Sequence, residues 1–311
     1  MPGSLAVVLA ALLPVVLIIA LGWALARGGA LAEPFWSGAE RLCYVVLLPA
    51  FLAQGLGTAD LGAVPLGRLA VSIIGPILAV SALLVAIRPR LGLGGAAFTS
   101  VFQGSIRFNN YLGLAFATAL LGAPGAGLAA VANGLIVPTV NVLSVLVFAA
   151  YGTARPTVLG TLKALATNPL ILGTAAGALW QATAAPVPGV IASALRLVGQ
   201  AALPLGLLCV GAGFSPRVLG AEPRAILVAC LMKFVALPAL TAAACFAFGV
   251  AGSPRLVAVL FAALPTATSA FILARQLGGD APLMSAITTL QTLASLASLP
   301  VTLSLVLAAQ G

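Results

Sequence analysis

Gln103-Gly104-Ser105-Ile106-Arg107-Phe108-Asn109-Asn110-Tyr111 decides the fold, because this polar string sits in the middle of an apolar run over 95–121. A guanidinium and three side-chain amides in hydrocarbon are expensive unless they line a cavity or pair with other protein groups. The surroundings are those of a membrane protein. Of the 311 residues, 62% are hydrophobic and only 6% charged, with a mean hydropathy of +1.22. A soluble domain carries about 25% charged residues, so this chain cannot coat a water-facing surface. Soluble globular proteins, disordered tails and nucleic-acid binders are excluded on that ground. The net charge of +9 comes from 14 Lys+Arg against 5 Asp+Glu, scattered singly between apolar runs.

Outward from the polar string, apolar runs and Pro/Gly-rich breaks place ten spans near 4–26, 36–56, 68–87, 95–121, 127–152, 169–184, 190–213, 224–250, 254–278 and 281–308. The first is read as a retained helix and not a signal peptide, since no cation precedes it and Arg27 follows it. Odd-numbered connections and their adjoining span ends carry Arg27, Arg41, Arg88, Arg90, Arg155, Lys163, Arg217 and Arg224, whereas even-numbered ones carry only Arg68 and Arg255. Cytoplasmic loops are rich in Lys and Arg, so both termini are expected outside and loop 153–168 in the cytoplasm.

The two halves resemble each other. At an offset of 155, Pro14 falls on Pro169, Gly22 on Gly177, Arg41-Leu42 on Arg196-Leu197 and Leu48-Pro49 on Leu203-Pro204. At an offset of 156, Arg68 falls on Arg224 and Gly122 on Gly278. Five spans per half would insert the second half upside down, the inverted-repeat design of secondary transporters, whose site lies at the midplane beside broken helices. The expected fold is therefore an all-α polytopic membrane protein of ten transmembrane helices, with repeats at 1–155 and 156–311. At the offset of 156, Asn109 and Asn110 fall on Pro265 and Thr266 of Leu264-Pro265-Thr266-Ala267-Thr268-Ser269. Two such breaks would aim half-helix N-termini, with their partial positive charge, at one point.

Further polar residues lie in spans: Gln103, Asn141, Gln200, Lys233 and Gln291. Each reads either as a substrate contact or as a hydrogen bond between helices. Arg107 and Lys233 are cations within spans, and no Asp or Glu lies deep in any span. A buried cation needs compensation, so the site is expected to take a small organic anion such as a carboxylate; the alternative makes Arg107 a structural clamp on the broken helix. The chain has no histidine, and its four cysteines lack CxxC spacing. No catalytic residue, metal ligand or cofactor is expected, and the protein is read as a non-enzyme.

These residues carry a family resemblance. Arg41-Leu42, Leu48-Pro49, the string from Gln103 to Asn110, Asn168-Pro169, Gly199-Gln200-Ala201-Ala202-Leu203-Pro204, Lys233 with Leu237-Pro238, Leu264-Pro265-Thr266-Ala267 and Ala274-Arg275-Gln276 resemble the auxin efflux carrier family. That family includes bacterial malate and malonate carriers and plant PIN exporters. The resemblance implies a scaffold of spans 1, 2, 6 and 7, a transport domain of spans 3–5 and 8–10, crossed helices 4 and 9, elevator motion and dimerisation through the scaffold. It also implies that Asn109, Asn110, Pro265 and Thr266 line the crossover, with Asn141 facing it. Many relatives carry a proline near the fourth-span crossover and this chain does not, so unwinding there is expected to be smaller or glycine-based. The expected activity is inner-membrane transport of a small organic anion. A sodium-coupled symporter of the bile-acid-carrier type and a non-transporting ligand sensor are the alternatives.

Overall fold

The computed structural model describes residues 2–62, 64–153, 157–183, 187–214, 222–267 and 269–309; Arg155, Arg217 and Thr268 of the sequence reading lie outside them. Among the described residues every regular element is helical. In chain order they are α1 (Pro2–Arg27), α2 (Glu33–Leu42), α3 (Leu48–Gly57), α4 (Leu66–Leu91), α5 (Gly95–Ile106), α6 (Asn110–Tyr151), α7 (Val158–Ala166), α8 (Pro169–Thr183), α9 (Gly189–Gln200), α10 (Ala202–Ala212), α11 (Pro223–Leu231), α12 (Leu237–Ala247), α13 (Gly252–Ala263), α14 (Ser269–Leu277) and α15 (Ala281–Ala308).

Among the described residues, seven stretches are long and apolar enough to cross a membrane: Val8–Arg27, Glu33–Gly57, Leu66–Leu91, Gly95–Tyr151, Gly189–Ala212, Pro223–Ala247 and Ala281–Ala308. The difference from the ten expected spans has physical causes. Gly95–Tyr151 runs 57 residues, far more than the roughly 20 that one crossing needs. It turns at Gly122, whose φ of 64° and ψ of −142° only glycine adopts readily. α8 has 15 residues, and the stretch 252–277 is interrupted between α13 and α14. The connection 153–168 contains a short helix, α7, whose first turn is capped by the Thr157 hydroxyl accepting from Gly160 N–H at 3.1 Å.

Prolines shape two of the long helices. Pro49 and Pro238 each remove a backbone donor, and one residue earlier the ladder widens by one residue. Leu48 N–H bonds Cys43 O and Leu237 N–H bonds Met232 O, each five residues back, giving π-turns at Cys43–Leu47 and Met232–Ala236. Such bulges recur at functional sites; these present Tyr44 and Lys233.

Small residues let helices meet closely, as in membrane bundles where hydrophobicity does not drive association. In α8, Gly173-Thr174-Ala175-Ala176-Gly177 lies on α3, and added Cβ atoms would come 2.6 Å from Pro49 Cα and 2.7 Å from Ala53 O. Gly211 of α10 abuts the Ile19 carbonyl of α1, and Gly22 of α1 abuts Leu208 of α10. α1 thus packs along α10 and α3 along α8, while α4 packs on α12, α5 on α11, and α13 on α6 and α15. On α1, Leu9, Leu13, Leu17 and Leu21 form an exposed apolar stripe at four-residue spacing. Gln200, read as a buried polar residue, is exposed at the end of α9.

Candidate functional site

The polar string of the sequence becomes a break in a helix. α5 ends at Ile106, Arg107 is extended (φ −75°, ψ 161°), and Asn109 (φ −88°, ψ 109°) caps α6 by accepting from Leu112 N–H at 3.2 Å. The second break spans Leu264 to Ala267, where α13 ends with Leu264 extended (φ −68°, ψ 144°). Neither glycine nor proline lies between Ile106 and Asn110, so of the two expectations, smaller or glycine-based unwinding, the glycine-based one does not hold for this three-residue break. What holds this backbone open is the other break: Asn109 N–H donates to Pro265 O at 2.8 Å. Backbone polar groups in an apolar interior need partners, and each break supplies them to the other.

Side chains complete the junction. The Thr266 hydroxyl donates to Gly104 O at 3.0 Å, and Thr266 N–H donates to Gln291 Oε1 at 3.0 Å. Gln291 Nε2 donates to Gly104 O at 2.8 Å and to Ala229 O at 3.4 Å. Gln103 Nε2 reaches Ala270 O at 3.5 Å. Asn109, Gln103, Pro265, Thr266 and Gln291 are all buried here. Nearby, Gly278 has φ 71°, and the residues after it tie to α5: Asp280 N–H bonds Ala96 O, and Ser100 donates to Asp280 O.

On one side of the junction lies a cavity of about 600 Å³. Arg107, Asn110 and Asn141 line it, so of the nine sequence-read site residues these three reach open space. Arg107 Nη1 donates to Asn141 Oδ1 at 2.8 Å, and Asn133 Nδ2 donates to Asn110 Oδ1 at 2.8 Å. A guanidinium has only donors, which fixes the Asn141 oxygen toward Arg107. Both asparagine oxygens are thereby occupied, while their amide N–H groups and the remaining guanidinium N–H groups have no partner among the described residues. Two helix N-termini converge on the same space, since Asn110 begins α6 and Ser269 begins α14, and both line it.

The opposite wall was not read from the sequence. Ser37, Arg41, Tyr44 and Leu48 recur every three or four residues and line the cavity from one face of the α2–α3 helix, together with Glu40. The Tyr44 hydroxyl accepts from Asn168 Nδ2 at 3.2 Å, leaving its own proton to donate. Asn168 Oδ1 also accepts from Leu170 N–H (2.9 Å) and Ile171 N–H (3.3 Å). Asn-Pro before an apolar run is a helix-start signal, so Asn168 was legible as a cap. Thr161, Leu165 and Thr167, on and just after α7, close the mouth, with Gln276 of α14 beside them. That mouth lies at the end of the molecule carrying Arg41 and Lys163.

Lys233 does not join this cavity. It is fully buried in a separate apolar void with Ile106 and Phe108. Another cavity of about 600 Å³, between α1, α6 and α15, is lined almost wholly by apolar side chains such as Leu9, Leu13, Phe116 and Leu296.

A donor-lined cavity thus lies beside two broken helices. Residues 156–303 match the family model for a membrane transport protein. This is the family of the auxin efflux carriers, which the landmark residues of the sequence resemble. The matched segment holds Asn168, Lys233, Pro265, Thr266 and Gln291, so the second break and its latch lie within the family's region. No curated protein matches the chain. Several apolar helices and this match over the second half of the chain support a multi-pass membrane protein and suggest a transport role.

Proposed function

We propose that the protein is a secondary carrier for a small organic anion, bound in the cavity between the α2–α3 wall and the crossed breaks. One observation carries the reading: Arg107, Asn110 and Asn141 present donors to the cavity while the acceptor oxygens of both asparagines are taken by protein donors. A surface that offers donors and positive helix ends selects an acceptor-rich, negatively charged guest. A carboxylate fits that chemistry, and a volume of about 600 Å³ has room for an acid the size of malate or indole-3-acetate.

The breaks at 107–109 and 264–267, and the positive-φ glycines Gly122 and Gly278, support an arrangement of two inverted five-helix repeats. The close pairs α1–α10 and α3–α8 support a scaffold against which α4–α6 and α11–α15 move as an elevator. The exposed apolar α1 stripe and α9 face lipid or a second copy of the scaffold. With the cation-rich end cytoplasmic and both termini outside, the cavity opens inward across a bacterial inner membrane.

Solid-supported-membrane electrophysiology on proteoliposomes, challenged with malate, malonate and indole-3-acetate, tests the reading. A saturable response to one anion, lost in Arg107→Ala and Asn110→Ala at unchanged expression, is expected. Equal responses from parent and both variants would refute the site. Radiolabel counterflow replaces the current readout where exchange is electroneutral, and absence of anion movement in both assays would refute the carrier reading.

A further inference from the structure

Lys233 is the anomaly that the anion site does not absorb. Its side chain is fully buried, and Nζ has no hydrogen-bond partner among the described residues. The void around it measures about 10 Å³, room for at most about one water molecule. Ten residues line it besides Lys233, and none is titratable or charged. The single hydroxyl among them, Thr241, donates to Leu237 O at 2.8 Å within its own helix. The charged residues on the surrounding helices, Arg68, Arg88, Arg90, Arg224 and Arg255, sit near helix ends and outside the void; so do Cys230, Cys245, Tyr111 and Tyr151, the thiols and phenols on α11, α12 and α6. An ammonium here would lack counter-ion, acceptor and bulk water, the least favourable setting a charge can have. The uncharged amine fits the void, and its lone pair is free.

The position of this amine links it to the anion site. In the extended break, alternate residues face opposite ways: Ile106 and Phe108 line the lysine's void, while Arg107 between them lines the large cavity. Phe108 also lines a small polar space with Tyr44, Arg107 and Asn141, so this one residue borders both the lysine's void and the space of the anion's donors. Its ring packs 5.4 Å from Phe261, centroid to centroid.

We propose that Lys233 is a proton-binding site that couples anion movement to proton movement, with Phe108 as the barrier between them. The chemistry is a single protonation: the amine lone pair takes H⁺ from water when the barrier opens, forming the ammonium, and returns it to water on the other side. No other bond changes. A carboxylate beside Arg107 lowers the energy of the ammonium across the ring, and the ammonium favours the carboxylate in return, as linkage requires. The inference rests on the carrier reading above and assigns its coupling ion.

The chain has two lysines, Lys163 and Lys233, which makes the site directly observable. In Lys163→Arg protein labelled with ¹⁵N-lysine, in lipid nanodiscs, one Nζ resonance remains. It is expected at the amine position without ligand and to move toward the ammonium position as pH falls or malonate is added. A resonance fixed at the ammonium position throughout would overturn the proposal, whether or not any anion is transported. In proteoliposomes loaded with a pH-sensitive dye, malonate uptake is expected to carry protons in constant ratio. Lys233→Met is expected to lower that proton-to-anion ratio by about tenfold or more. The parent ratio persisting in Lys233→Met would overturn the coupling role. Failure of malonate to move in the parent protein would instead count against the carrier reading, with the resonance still deciding whether Lys233 binds a proton.

Discussion

Replacing Gln291 with methionine isolates the latch that holds the two breaks together. The side chains are similar in volume, so the change removes hydrogen bonds without opening a cavity. In the parent, Gln291 accepts from Thr266 N–H at 3.0 Å and donates to Gly104 O at 2.8 Å. Gly104 O keeps the Thr266 hydroxyl at 3.0 Å, so its loss is partial. Thr266 N–H, fully buried, keeps nothing. An orphaned buried donor costs about 1–3 kcal/mol and each ordinary hydrogen bond contributes about 1 kcal/mol. Gln291→Met should therefore destabilise the fold by about 2–4 kcal/mol. Thermal unfolding in detergent micelles reads this loss, with Thr288→Ala as the control on the same helix. The Thr288 hydroxyl bonds Met284 O one turn back, and that substitution should change stability by less than about 1 kcal/mol. A Gln291→Met protein within about 0.5 kcal/mol of the parent would refute the latch and, with it, the mutual support of the two breaks.

Other substitutions probe separate parts of the account. Gly211→Ala places a methyl against the Ile19 carbonyl and should destabilise the protein by about 1–3 kcal/mol, whereas Gly75→Ala, inside α4 with nothing within 4 Å, should cause no loss in the same thermal assay. Asn109→Ala removes the cap on Leu112 N–H and should lower stability by about 1 kcal/mol, measured as a shift in the unfolding midpoint. Asn141→Asp gives Arg107 a charged partner of its own, so the guest anion must compete with it. Malonate affinity by calorimetry should fall about tenfold or more, since charge-assisted bonds exceed neutral ones by more than about 1 kcal/mol.

Much of this architecture was legible because membrane burial leaves few ways to place polar residues. The string from Gln103 to Asn110 could not sit unbroken in an apolar helix without partners, and it folds as a break. Pro265 removes a donor at the equivalent place, and the second break is there. The sorting of the polar residues was not legible. In the sequence Gln291 and Gln103 read equally as substrate contacts or as hydrogen bonds between helices, and with Thr266 they satisfy backbone groups near the breaks. Which role a buried amide takes depends on neighbours remote in the chain: Gly104 meets Gln291 and Thr266 only after folding. Tyr44 was hidden because its position on the cavity face depends on the π-turn before Pro49. α7 was hidden because it has nine residues, with Gly160 and Lys163 among them, too short for a clear helical period. The side of the break that Lys233 faces follows from the alternation of Ile106, Arg107 and Phe108, which no spacing rule connects to residue 233.

The most direct test of the central claim is where the anion sits. An electron cryo-microscopy map of the protein in nanodiscs with saturating malonate should show density among Arg107, Asn110 and Asn141, on the side of the break that also faces Tyr44. Density confined elsewhere, for instance to the apolar cavity beside Leu9, Phe116 and Leu296, with the space around Arg107 unchanged, would contradict it.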